Sequence, residues 1–153
     1  MKASYSVHSV EETWAVAKEL AKELKPGDVV CLEGDLGAGK TTFTQGLAAA
    51  LGVSGAVASP TFCIVREHPP RPDAPSAPVL VHMDLYRLSG EEEVESIGWE
   101  DYLSRGAIVA VEWPERAGSL VPPDAWHIVF TASSGDEDRT ISVTSPGTPP
   151  ARG

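Results

Sequence analysis

Gly34, Gly39, Lys40 and Thr41 stand in the spacing G-x4-G-K-T, inside the stretch GDLGAGKTT. Glycines so placed let a backbone curl until successive N–H groups face inward, where they can hold the oxygens of a phosphate chain. The spacing matches the Walker A pattern at every fixed position, with Lys40 as a point charge for the β and γ phosphates and the Thr41 hydroxyl as a ligand of Mg²⁺. The chemistry on offer is therefore nucleotide binding with a metal.

Magnesium held in this way needs a second protein anchor, usually a carboxylate at the C-terminal end of a neighbouring parallel strand. Asp84 and Glu112 each end a short apolar run, so both qualify. The alternative for either is an acid that only caps the next element. The chain has neither the Asn-Lys-x-Asp nor the Asp-x-x-Gly element of switch-type GTPases, which favours ATP over GTP.

Such a loop works only between a buried strand and a helix. Residues 28–33 carry Val29, Val30, Cys31 and Leu32, apolar on both faces as a buried parallel strand is, and 40–51 read as a helix that Gly52 ends. Upstream, Ser9-Val10-Glu11-Glu12 is a capping box, with the Glu12 carboxylate expected to reach back to the cap. It opens a helix in which Trp14, Ala17, Leu20, Ala21 and Leu24 recur until Pro26-Gly27 stops them. Downstream, strands are predicted at 62–66, at 79–83 ending on Asp84, and at 107–111 ending on Glu112. Between the last two, Ser89 is a plausible cap for a helix that starts with the acidic run Glu91 to Glu95 and carries Val94, Ile97 and Leu103.

Residues 126–132 and 139–144 alternate around Ser133-Ser134-Gly135-Asp136, the pattern of a closing hairpin. The proline-rich segment His68 to Pro78 reads as a solvated loop and 145–153 as a disordered tail, so 1–144 are expected to form one domain. Strands alternating with helices predict an α/β layer fold, mainly parallel, with an antiparallel addition at the C-terminal edge. There is no internal repeat.

The 153 residues are 42% hydrophobic and 22% charged, which is ordinary for a folded soluble chain. A formal charge of −10 repels a polyanion, and the basic residues are not clustered, so direct tight binding to nucleic acid is not expected. No apolar run is long enough for a bilayer and the N-terminal stretch has no apolar signal core, so a cytoplasmic location is expected. Cys31 and Cys63 sit in separate apolar runs, as buried reduced thiols do.

The motifs GDLGAGKTTFTQGL, SPTF, HMDLYRL, GWEDYL and VEWPER, in this order, resemble the bacterial TsaE family of tRNA threonylcarbamoyladenosine biosynthesis proteins. The likeness runs from about Ser6 to about Phe130. It implies a P-loop NTPase-type three-layer fold, with helices on both faces of the sheet, and an ATPase that is slow alone. It also implies two partners, TsaD and TsaB, which carry out threonylcarbamoyl transfer and hold the tRNA. Position by position, Gly37, Ala38, Gly39, Lys40, Thr41 and Thr42 would bind the phosphates of ATP, and Thr41 with Glu112 would hold Mg²⁺. Asp84 would be a second essential acid that orders either the metal's water or the attacking water. Thr61 of SPTF would be a switch-type threonine that senses the γ-phosphate. Read without the family, Ser59-Pro60-Thr61 is an ordinary turn into a strand.

By the same resemblance the start of the first helix, Val10 to Thr13, would border the adenine. His82, inside a strand, reads as a satisfied core histidine rather than a catalytic base. Trp113 fits the core or a partner-facing position equally. Tyr86 and Arg87 emerge after the Asp84 strand, where they could position the site.

Two other readings stay open. A small-molecule kinase would need an arginine-bearing lid over its acceptor, whereas here the arginines are scattered. A nucleotide-dependent scaffold without turnover differs only in rate.

Overall fold

The computed structural model describes residues 2–34, 39–53, 65–132 and 139–144. Strand β1 (Lys2–Val7) is followed by α1 (Val10–Ala21), β2 (Val29–Gly34), α2 (Lys40–Leu51), β3 (Val65–His68) and β4 (Leu80–Asp84). Two short helices, α3 (Glu91–Ser96) and α4 (Trp99–Ser104), lead to β5 (Ile108–Glu112). Two single 3₁₀ turns then precede β6 (Trp126–Ala132) and β7 (Arg139–Thr144).

The strands form one seven-stranded sheet in the order β1-β7-β6-β2-β5-β4-β3. Its centre is parallel: β2 lies between β6 and β5, and β5 pairs with β4. Both margins are antiparallel. The hairpin β6–β7 is the predicted one, but β1, which the sequence reading did not assign, adds to it, and β3 runs antiparallel to β4 on the other margin.

Period-two alternation divides the buried side chains between two layers. Val30, Leu32, Leu80, Ile108 and Ala110 face α1 and α2, where Phe43 and Leu47 pack on them. Val29, Cys31, Val81, Met83, Val109 and Val111 face the opposite layer, with Trp99 of α4 and Val94 of α3. Helices therefore cover both faces. Each large apolar side chain buried completely, as Phe43, Leu47 and Ile108 are, contributes ~1.5–3 kcal/mol of transfer free energy. In the middle of β2, burial pushes the Cys31 thiol up to about 12, so it is inert packing. Cys63 lies outside the described residues.

Local chemistry departs from the sequence expectation at several points. The Ser9 hydroxyl accepts from Glu12 N–H at 3.1 Å as expected, but the Glu12 carboxylate accepts from His8 N–H at 2.6 Å, one residue before the cap. Helix α1 ends at Ala21, ahead of Pro26, and Leu24 packs against the core from beyond it. Trp14 is 43% exposed, while Thr13 and Val16 are buried in its stead. The expected single helix after Ser89 is broken in two at Gly98, whose φ of +101° lies in the left-handed region. Ser89 caps nothing: Gly90 is the cap residue, and the Ser89 N–H donates to Glu93 Oε1 at 2.6 Å.

Strand β3 is described from Val65 through His68; residues 62–64 of the predicted strand lie outside the described residues. His68 is buried, and Arg71 N–H donates to the Gly52 carbonyl at 2.9 Å, so the first residues of the proline-rich segment are tied to the end of α2 rather than solvated. The tail 145–153 lies outside the described residues.

Candidate nucleotide site

Strand β2 delivers the chain to Gly34, and α2 receives it at Gly39. Gly34 has φ +139°, and a Cβ there would run into the carbonyl of Phe130 on β6. The first glycine of the pattern is thus required by the close approach of a neighbouring strand. Gly39 has φ +99° with open space around it, so there the backbone conformation alone demands glycine.

Lys40 is the first residue of α2, and its ammonium turns back to donate to the Gly34 carbonyl at 3.2 Å. It spans the two ends of the glycine-rich segment and is itself buried. Thr41 and Thr42 are half-buried in the first turn of α2. The Thr42 carbonyl accepts from the Trp14 indole at 3.0 Å, which fastens α1 to that turn. Gly37, Ala38 and Thr61 lie outside the described residues.

The register sets Asp84 opposite Glu112 on adjacent parallel strands, with Leu32 of β2 on the other side of Glu112. Both acids stand at strand C-termini, the crest from which the glycine-rich segment also leaves. Their surroundings differ. Glu112 is buried, with Oε1 3.9 Å from the Lys40 ammonium and Oε2 2.7 Å from Nε2 of His82. Asp84 is half-buried and its Oδ1 accepts from Tyr86 N–H at 3.0 Å, the local turn that a strand-end acid makes.

His82 is wholly buried, and its ring is satisfied on one side only: Nδ1 has no hydrogen-bond partner among the described residues. The expectation of a satisfied core histidine is therefore half right. The signal that ties it to the site was in the sequence, because His82 and Asp84 are two apart on a strand and must share a face.

Trp113 follows Glu112 directly and has φ +60°, the one non-glycine residue with positive φ among the described residues. Its ring is 36% exposed and lies 4.8 Å from the Tyr86 ring, centroid to centroid. The Lys40 ammonium and the Arg116 guanidinium each stand 5.9 Å from its centroid. Together Leu32, Gly34, Lys40, Trp113 and Glu115 line a cavity of about 240 Å³. Trp113 is thus a wall of the site, which the sequence reading left undecided, and Tyr86 braces it. Arg87 is exposed.

Val10 is 50% exposed and Thr13 is buried, one residue before the tryptophan that bonds α2. A larger cleft of about 260 Å³, lined by Tyr5, Val16, Leu20, Trp126 and Val143, is made of different residues and shares none with the Lys40 cavity.

A parallel-centred sheet that sends a glycine-rich segment into a helix, with a lysine at the helix start and acids on the neighbouring strand ends, defines a nucleotide-binding α/β protein of the P-loop class. A family model described as threonylcarbamoyl adenosine biosynthesis protein TsaE matches residues 7–141. The chain belongs to the TsaE family. It is 43% identical over 137 residues to the tRNA threonylcarbamoyladenosine biosynthesis protein TsaE of Bacillus subtilis, covering 90% of this chain and 82% of that one. To the protein of the same name from Streptomyces coelicolor it is 46% identical over 136 residues, covering 86% and 89%. Among solved structures, the crystal structure of Bacillus subtilis YdiB superposes with a TM-score of 0.76 at 36% identity, over 96% of this chain and 87% of that one.

Proposed function

We propose that this chain, acting in tRNA threonylcarbamoyladenosine biosynthesis as its family does, is a Mg²⁺-dependent ATPase that turns over slowly alone and is stimulated by TsaD and TsaB. The observation that carries the reading is the placing of Lys40, held between the Gly34 carbonyl and the Glu112 carboxylate at the mouth of the cavity. In this reading residues 1–144 work as one ATPase domain in the cytoplasm. No described helix is long and apolar enough to cross a membrane.

Gly37 to Thr42 surround the phosphates, and Lys40 exchanges its carbonyl partner for a phosphate oxygen. Glu112 and the Thr41 hydroxyl supply hard oxygen donors for Mg²⁺. The fit is good, since Oε1 of Glu112 has the Lys40 ammonium only at 3.9 Å, beyond hydrogen-bond length, and keeps its lone pairs for a cation. Two protein oxygens are few, which suits a metal that takes the rest of its shell from water and nucleotide. When bound, Mg²⁺ neutralises phosphate charge.

Asp84 orders a water near the γ-phosphate, which requires its carboxylate to keep one oxygen free of the Tyr86 turn; Oδ1 alone makes that bond. Thr61 reports the γ-phosphate to the partners, and Val10 and Thr13 border the adenine. With a charge of −10 the subunit meets tRNA only through its partners.

Mixing the purified chain with TsaD and TsaB tests the reading. Phosphate release is expected to be slow alone and to rise ~10³-fold or more with both partners, as when a missing group is supplied in trans. Thr61→Ala should blunt that rise more than it weakens ATP binding. Fast hydrolysis by the chain alone, indifferent to the partners, would refute it.

A further inference from the structure

We propose that His82 is a positioning residue for Glu112, holding one carboxylate oxygen so that the other is presented to the cation. The proposal rests on the reading of Glu112 as a Mg²⁺ anchor.

His82 pairs with Ala110 and Asp84 with Glu112 in the β4–β5 ladder. His82 thus stands one pleat behind Glu112 on the same face of the sheet, and its ring reaches forward along that face to place Nε2 2.7 Å from Oε2. The ring is wholly buried and the carboxylate nearly so, which leaves water little access to either.

The carboxylate decides the direction of the bond. A carboxylate oxygen can only accept, so Nε2 carries a proton and donates it to Oε2, while Nδ1 has no partner among the described residues. A rigid ring N–H at this distance fixes the position of one carboxylate oxygen. Oε1 is left facing Lys40.

Packing alone does not account for a histidine here. Its companions on this face of β4 and β5 are Leu80, Ile108 and Ala110, and an aliphatic side chain would join them without burying an unsatisfied nitrogen. The bond to Glu112 is what the ring adds.

The test compares His82→Leu, His82→Gln and His82→Asn with the parent and with Glu112→Gln, using calorimetric titration of a non-hydrolysable ATP analogue with and without Mg²⁺. A glutamine amide can donate from roughly where Nε2 stood, while the shorter asparagine falls back toward Nδ1. His82→Leu is expected to keep the metal-free affinity within ~2-fold and to lose ~10-fold or more of the Mg²⁺-dependent gain, the usual cost of an outer hydrogen bond to a metal ligand. His82→Gln should recover most of that gain and His82→Asn should not. The Gln and Asn pair carries the test if the leucine variant does not fold. An unchanged Mg²⁺ response in His82→Leu, or equal loss in Gln and Asn, overturns the proposal. If Glu112→Gln also leaves the response unchanged, the metal-anchor reading fails with it; if Glu112→Gln abolishes the response while the His82 variants keep it, only the role of His82 falls.

Discussion

The Lys40 ammonium lies 3.9 Å from Oε1 of Glu112, and each side chain is only 8% exposed. A buried pair of this kind is costly to break from one side, because the remaining charge has little water to turn to. In the proposed function phosphate and Mg²⁺ would relieve it together, one taking the lysine and the other the carboxylate. Nucleotide and metal are therefore expected to bind cooperatively.

Lys40→Ala should weaken ATP binding roughly 10- to 100-fold, the worth of a charge-assisted hydrogen bond or two. It also leaves Glu112 without its opposite charge, so the variant should melt earlier than the parent. Lys40→Met, which keeps the buried stem, should recover packing but not affinity. Calorimetry beside thermal denaturation separates these effects, and full ATP affinity in a folded Lys40→Met would show that the ammonium does not serve the phosphates.

Glu112→Gln releases Lys40 from its partner. Metal-free ATP binding is expected to hold or tighten, while the gain from adding Mg²⁺ disappears. Titrations at fixed nucleotide and varied Mg²⁺ read this directly. If the Mg²⁺ response survives, Glu112 is a structural strand end and Asp84 inherits the role.

Gly46→Ala reverses the ordinary rule for helices. Alanine is normally the better helix former by ~1 kcal/mol. At this position a Cβ would sit 2.8 Å from Trp14 Cδ1 and 3.1 Å from the Trp14 Cα, so α1 and α2 must move apart. Overpacking of this sort costs ~1–3 kcal/mol, so the variant should be less stable than the parent by thermal melt. In a Trp14→Ala background the penalty should shrink, and a stabilised Gly46→Ala single variant would contradict the close helix contact.

Cys31 should resist alkylation in the folded protein. With the thiol pushed up to about 12 and fully buried, almost none is thiolate at pH 8, and the reagent has no path to it. Peptide mapping after iodoacetamide treatment should find Cys31 modified only when denaturant is present. The same shift sets a direction with pH. An unfolded Cys31 ionises near 9, before the folded one, so its contribution to stability is complete below that value and is lost as pH rises toward 12. Cys31→Ala should remove that part of the alkaline decline.

The parts of the fold that were legible in the sequence are those where one residue type has one physical use. Gly52 ends α2 as expected, with φ +84°, and β6 and β7 fall on the predicted residues because their alternation is regular. Strand β1 was missed because KASYSV carries few large apolar side chains; what makes it a strand is its partner β7, far along the chain. Trp14 was misplaced because helical spacing does not reveal that the neighbouring helix presents a glycine, on whose flat surface an indole can lie half-exposed. In the site, Lys40 and Glu112 were named from motif and strand end, and the structure brings them together. His82 reads as core because it sits inside an apolar run; its spacing from Asp84 sets it on the site's face, but only the neighbouring strand shows which carboxylate it meets.

The pairing of β1 with β7 sets Lys2 opposite Thr144, so the two end strands of the described fold lie side by side, antiparallel. A short hairpin turn is what normally joins strands so arranged. In connectivity the fold is nearly a closed ring, and its starting point is interchangeable: the chain could be joined there and reopened between β6 and β7. Both positions lie on the margin away from β5 and β4, so a permuted chain should keep Lys40, Glu112 and His82 in place.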